Sequence, residues 1–452
     1  MTSPEARPAH GRPDEPRRGR PPGRDGAWRA GRLAGIEPAA LAERFGTPVY
    51  VYDLDVVTRA LADLRRALPE RFDIAYAVKA NPALTVIGHL ARLGTGADVS
   101  SAGELAAAVR AGVPGDRIVA TGPGKADDFL RSAVRAGLRA VTVESRGELD
   151  RLERIAAEEG RRVPILLRLA STDPMSRASG PDARFLKFGM ASGDAALAAA
   201  RAAGSPWLHL RGVHCFGATN VLDAARLADH VAATVNAARE VTAAAGARLE
   251  LVDVGGGLGV PYEPHESALD LADYGRRLRT LDAAWTAEPA LAAMRVLVEP
   301  GRFLVGSAGV YLARVTDVKR LGGRVVAILD GGIHQFLRPA LVGQEHRLRL
   351  AGGSGPDGQQ NGGAVRPVPV AIAGPLCTGL DVFSANAFMR PPRPGDLVAA
   401  LDAGAYGFTE SMPGFLSHGW PAEVAVKNGE AQLIRPRAGA DELLRTQTVP
   451  DW

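Results

Sequence analysis

The sequence predicts an α/β protein: a (β/α)8 TIM barrel followed by a C-terminal all-β domain. Three observations carry this. Short apolar runs alternate with Ala-rich helical stretches between about residues 73 and 300. Eight such units fit in about 230 residues, the count and length of a closed barrel. From about residue 302 the long helical stretches stop and strand-like runs follow one another between Gly/Pro turns.

The barrel strands are expected at 74–78, 97–100, 118–121, 141–144, 165–169, 211–216, 249–254 and 295–298. Each is a short run rich in β-branched or small apolar residues, bounded by polar or Gly/Pro positions. Segments 102–111, 127–136 and 147–158 lie between them with helical periodicity. A doubly wound open sheet also alternates, but it rarely needs eight equal repeats. Further strands are expected at 305–319, 323–330, 365–373, 396–403 and 421–427, and the run 49–52 is expected to join them. The resulting division is a disordered Arg/Pro-rich tail at 1–32, a barrel at 48–304, and a β domain at 305–445 that also takes in 33–47. The Gly-rich stretch 351–364 reads as a mobile hairpin loop without chemistry.

Composition narrows the function. The net charge is +4, and residues 1–32 alone hold eight Arg against four acids. The rest of the chain is close to neutral, so the basic balance gives no footprint for nucleic acid. No run of about 18 apolar residues suggests a membrane span, and Arg17-Arg18 has no apolar stretch behind it to make a signal. Only two cysteines occur, Cys215 and Cys377. Such sparing use suits a reducing cytoplasm, with the thiols either buried and structural or catalytic.

In a barrel of this kind, chemistry sits at the carboxyl ends of the strands. Lys79, Asp98, Gly122-Pro123-Gly124-Lys125, Glu144, Arg168, His214, Gly255-Gly256-Gly257 and Glu299 all fall there. Taken singly, each can be a loop residue, and Asp98, Glu144 and Arg168 read first as barrel ion pairs. Lys79 closes the apolar run Ile74-Ala75-Tyr76-Ala77-Val78 and precedes Asn81-Pro82. An amine at the mouth of a buried strand is costly unless paired or used, and a lysine so placed can condense with carbonyls. The glycines after Asp253-Val254 let backbone amides crowd a phosphate, or simply make a tight turn. Glu299-Pro300-Gly301-Arg302 sets a carboxylate at the pocket and an Arg beyond it, for a ligand anion or a structural ion pair. Gly374-Pro375-Leu376-Cys377 and Gly404-Ala405-Tyr406-Gly407 place a thiol and a phenol on turns of the β domain.

This ordered set, Tyr-Ala-Val-Lys-Ala-Asn, Gly-Gly-Gly-Leu-Gly, Glu-Pro-Gly-Arg, Gly-Pro-Leu-Cys and Gly-Ala-Tyr, resembles the alanine-racemase-like (fold type III) pyridoxal-phosphate enzymes. Within them it is most similar to the ornithine/diaminopimelate/arginine decarboxylase group, from about residue 47 to 430. The resemblance implies a homodimer binding pyridoxal 5'-phosphate (PLP) and no metal. Lys79 would hold the cofactor covalently. Gly255, Gly256, Gly257, the backbone at Gly301 and Arg302, and the Tyr406 hydroxyl would bind its phosphate. Glu299 would pair with the ring nitrogen, and Cys377 would reach the site of the other subunit and protonate Cα. A carboxylate facing that nitrogen favours loss of CO2 over the racemisation that is the alternative on this fold.

The chain departs from the pattern in its substrate and ring-stacking positions. Basic-amino-acid members carry an acid directly after the Cys, where this chain has Thr378, in Cys377-Thr378-Gly379-Leu380-Asp381. A buried ammonium without its partner costs about 3–5 kcal/mol. Ornithine, lysine and meso-diaminopimelate are therefore not expected as best substrates, although diaminopimelate decarboxylation stands as an alternative. Arg338, in Arg338-Pro339, is a candidate for gripping a substrate carboxylate, together with Arg302, Thr378 and Asp381. Phe216 occupies the position of the family's stacking His, with Thr219 offering a hydroxyl to phosphate and His214 two residues earlier on the same strand face. Either ring could cover the cofactor. Thr378 and the 122–125 segment are similar to a natural-product subgroup, some of whose members decarboxylate an amino acid tethered to a carrier protein. The loop 170–186 does not match the substrate loop of the diaminopimelate enzymes.

Overall fold

The computed structural model describes residues 26–171, 187–263, 265–351 and 366–452. Eight parallel strands close into a barrel in chain order: Phe72–Ala77, Gly96–Val99, Ile118–Ala120, Ala140–Val143, Val163–Leu169, Leu208–Cys215, Leu251–Asp253 and Arg295–Val298, the last pairing with the first. Helices Leu84–Arg92, Ala102–Arg110, Asp127–Ala136, Arg146–Glu158, Ser192–Ala203, Ala224–Ala244 and Leu271–Ala287 alternate with them. Several helix starts are fixed by side-chain caps. Ser101 and Ser145 accept the amides of Glu104 and Glu148, and Asp223 and Asp270 do the same for the helices that follow them. Ala75, Val119, Ala140, Leu166, Leu251 and Leu297 pack together inside the barrel, so its interior is filled with side chains.

The second domain is a nine-stranded sheet. Its spine is the 13-residue strand Gly309–Leu321, whose first half pairs with Val49–Asp53 and Leu397–Ala400 and whose second half pairs with Arg324–Leu329. Val368–Ala373 and Val382–Met389 extend one side, while Ala422–Lys427 and Glu430–Arg435 extend the other. Val49–Asp53 is buried along its whole length between two sheet strands, so the barrel begins after it, at helix Leu54–Ala67, rather than at 48.

Two expected boundaries move. The expected disordered tail overlaps an ordered turn: Trp28–Arg29 pairs with Arg32–Leu33, and the Ala27 amide donates to Ser307 O at 2.9 Å. Burial of Ala27 and Leu33 against the sheet domain supplies the reason. Residues 1–25 of that tail, 352–364 of the Gly-rich stretch and 172–186 of the unmatched loop lie outside the described residues.

Candidate active site

A cavity of about 310 Å³ opens at the carboxyl end of the barrel, within the range of small-molecule sites. Lys79 stands on a single turn, Val78–Ala80, directly after the first barrel strand. The Asn81 side chain donates to Gly404 O at 3.0 Å and the Tyr406 amide donates to Ala80 O at 2.8 Å, so the sheet domain is clamped onto this turn. Tyr406 has a φ of 54°, a left-handed conformation held by that clamp. Its ring lies between two guanidinium groups, Arg302 at 4.7 Å and Arg338 at 5.0 Å.

Lys79 Nζ is 2.5 Å from Asp98 Oδ2. The lysine side chain is 43% exposed, but only to the cavity. Burial pulls its pKa down, and the charge of Asp98 with the hydrogen bond to it outweighs that and holds it above the ordinary lysine value. At the end of the adjoining barrel strand stands Glu299, buried, with Oε1 lacking a hydrogen-bond partner. Burial, then the neighbouring Asp253 and Asp98, push its carboxyl far above the usual range. His214 is buried with Nε2 3.7 Å from Glu299 Oε2. Burial and the charges of Arg168 and Lys79 draw its pKa well down, so it is neutral.

The glycine turn is a cradle. A Cβ on Gly256 would lie 2.4 Å from Glu299 O, and one on Gly257 2.6 Å from Ala218 O. Thr219, Gly301, Arg302 and Tyr406 complete that wall of the cavity, and Phe216 lines it beside the turn. Gly255 is corrected: its amide donates to Asp253 Oδ1 at 2.9 Å and it does not line the cavity, so it shapes the turn rather than offering a donor. The donor set suits PLP, with an amine on one side, an unpartnered buried carboxyl on the other, and a crowded amide turn flanked by Thr, Tyr and Arg.

The substrate candidates separate. Arg302 lines the cavity and donates to the Tyr262 hydroxyl at 3.0 Å. Arg338 stands behind Tyr406 and is held by both oxygens of Glu410 at 3.0 Å. Cys377 is exposed and Thr378 half-buried on a sheet-domain turn outside this chain's cavity. Asp381 is corrected from substrate residue to turn-former. It is buried, and its two oxygens accept the Ile333 and Leu376 amides at 2.8 and 2.7 Å. Lys125 likewise turns away, paired with Glu148 at 2.8 Å. Arg168 reaches the cavity while paired with Glu144 at 2.6 Å and stacked on Phe188 at 4.7 Å.

Several lining residues escaped the sequence reading: Ser100, Thr121, Phe188 and Asn220. Asp98 was legible as a strand-end acid at the level of Lys79. Its partner was not, because only strand register puts Ala77 opposite Asp98.

A barrel-top lysine, a buried carboxyl on the neighbouring strand and a glycine turn on the strand after that fit a fold type III, PLP-dependent enzyme. The chain belongs to the pyridoxal-dependent decarboxylases, whose pyridoxal-binding domain model matches residues 54–306. It is 35% identical over 422 residues to a diaminopimelate decarboxylase of Actinosynnema pretiosum, covering 92% of each chain. It is 33% identical to the L-glutamyl-[BtrI acyl-carrier protein] decarboxylase of Niallia circulans, covering 91% of this chain and 96% of that one. The solved diaminopimelate decarboxylase of M. jannaschii in co-complex with L-lysine superposes with a TM-score of 0.83 at 28% identity, covering 92% of this chain and 96% of that one. The protein is thus a PLP-dependent amino-acid carboxy-lyase, and the racemase alternative falls away.

Proposed function

We propose that the substrate is an L-amino acid whose side chain does not end in a simple ammonium, free or tethered to a carrier protein, decarboxylated at Cα by a homodimer. The observation that carries this is Thr378 in place of the acid after Cys377. Without that acid, a buried substrate ammonium would lose about 3–5 kcal/mol, roughly two to three decades of affinity. Likeness to the carrier-protein enzyme of Niallia circulans supports the tethered form. The second reading, meso-diaminopimelate, is favoured by the several relatives bearing that activity's name.

When bound, PLP draws off the electron pair left as the Cα–carboxylate bond breaks. Lys79 anchors it, and Glu299 holds a proton at its ring nitrogen. The amides of Gly256 and Gly257, the backbone at Gly301 and Arg302, and the hydroxyls of Thr219 and Tyr406 bind its phosphate. Phe216, in the cavity wall beside the glycine turn, would cover the ring, and His214 lines the same cavity beside Glu299. Arg302, and Arg338 behind it, are set to steer the substrate carboxylate.

Cys377 supplies the proton to Cα from the neighbouring subunit. That assignment rests on its exposure and on its surroundings. Leu380 is 65% exposed, and Leu341 (54%) and Val342 (49%) sit on the helix packed against strand Val382–Met389. Apolar side chains left open beside a functional thiol suit a second copy. No described helix is long and apolar enough to cross a membrane, and Cys215 and Cys377 form no disulfide. A cytoplasmic location fits both.

CO2 release from meso-diaminopimelate, from free amino acids with neutral or acidic side chains, and from the same amino acids as carrier thioesters decides the substrate. Efficient turnover confined to meso-diaminopimelate would overturn the first reading.

A further inference from the structure

Asp253 ends the barrel strand Leu251–Asp253 and opens the glycine turn, fully buried. One of its oxygens holds the Gly255 amide, and the other, Oδ2, has no hydrogen-bond partner. Glu299 Oε1 is buried and unpartnered in the same way. One atom each of Asp253, Glu299 and His214 lies within 4.8 Å of the others. Lys79 and Asp98 are the remaining charged groups facing the pair. Two buried carboxyls packed together do not both ionise. Burial raises both, Asp253 to about 7 and Glu299 well above the usual carboxylate range. Neutral His214 supplies no compensating charge.

We infer that Asp253 is a positioning residue that shares a proton with Glu299, aiming Glu299 at the cofactor's ring nitrogen while its other oxygen fixes the phosphate turn. The inference rests on the role proposed above for Glu299. Before loading, the pair carries one proton, on Glu299 and accepted by Asp253. With PLP bound, Glu299 would hold its proton at the ring nitrogen, and Asp253 would take one from solvent to stay protonated beside it. Two bare carboxylates therefore never stand side by side. A single side chain thus links the two ends of the cofactor site.

Calorimetric titration of the full-length apoprotein with PLP at about pH 8, in buffers of different ionisation enthalpy, counts the protons taken up per cofactor. Asp253→Asn keeps an acceptor for the Gly255 amide and a donor for Glu299, but cannot take a proton. It should bind PLP with uptake lowered by about one proton per subunit. Asp253→Leu should lose about tenfold or more in affinity. On the wild type alone, infrared difference spectra should show a protonated carboxyl persisting in the loaded protein, and its absence overturns the inference. Equal proton counts in wild type and Asp253→Asn overturn it without touching the cofactor assignment. A wild type that binds no PLP overturns both.

Discussion

Lys79 Nζ sits 2.5 Å from Asp98 Oδ2, a contact made by strand register, since Ala77 pairs directly with Asp98. The acid keeps the amine charged despite burial. Covalent attachment of an aldehyde needs the neutral amine. Asp98→Asn should therefore let burial dominate and lower the Lys79 pKa. Each unit of that fall makes the neutral amine about tenfold more abundant at neutral pH. Apoprotein carrying the change should load PLP correspondingly faster, read from the growth of the bound chromophore. An unchanged rate would show that the ion pair does not govern the amine.

Tyr406 is stacked between Arg302 and Arg338 at 4.7 and 5.0 Å. Tyr406→Phe keeps the ring in that sandwich and removes only the hydroxyl. The dissociation constant for PLP should rise about tenfold, the worth of one phosphate hydrogen bond. Melting of the apoprotein should be unchanged.

Glu299 titrates far above its unfolded value. The folded protein therefore binds that proton more tightly than the unfolded chain does. Its contribution to stability is intact below the unfolded carboxyl pKa of about 4.3 and is lost as pH climbs. Glu299→Gln should make the apoprotein melt higher than wild type at pH 8 and equal to it near pH 4. Decarboxylation should fall by about two decades or more. Thermal melts across pH, beside a rate assay, check both halves.

His334 and His346 act with the opposite sign. Both are buried, and burial pushes each down to about 4; the neighbouring His418, its ring tilted against His334 at 4.6 Å, adds to this for His334. The unfolded chain binds those protons first, so stability is full above pH 6.5 and falls as pH drops towards 4, by up to about 3 kcal/mol for each. His334→Phe keeps a ring against His418 and should flatten that acid limb, as seen in urea midpoints between pH 4 and 7.

The proposed sharing of sites between subunits predicts complementation. Lys79→Ala and Cys377→Ala proteins should each be nearly inactive alone. Mixed and reassembled in equal amounts, they should recover about a quarter of wild-type activity, since half the dimers then carry one intact site. No recovery would place Cys377 outside the partner's site.

Much of this was legible in the sequence because barrel strands are buried on both faces and read as short apolar runs. Strands 118–121, 141–144 and 295–298 are located to within a residue, and Glu299 stands at the end of the last, as Lys79 and the glycine turn do at the ends of two other barrel strands. The sheet domain was harder. Val382–Met389 alternates Ser, Asn and Ala with two Phe on a half-exposed edge, and its burial pattern gives no clear period. Asp381 was misplaced because a polar residue beside a reactive Cys looks the same in sequence whether it faces a ligand or caps backbone amides. Asp253 carried no signal beyond its glycines, since its partner Glu299 is remote in the chain and near only in the closed barrel.

The proposed function stands on one amine, Lys79, as the anchor of the cofactor on which decarboxylation runs. Borohydride reduction of the purified, PLP-loaded protein, followed by peptide mapping, tests it most directly. The account predicts a yellow protein whose chromophore becomes fixed, one per subunit, on the peptide containing Lys79. A colourless protein, or a label on any other lysine, would contradict it.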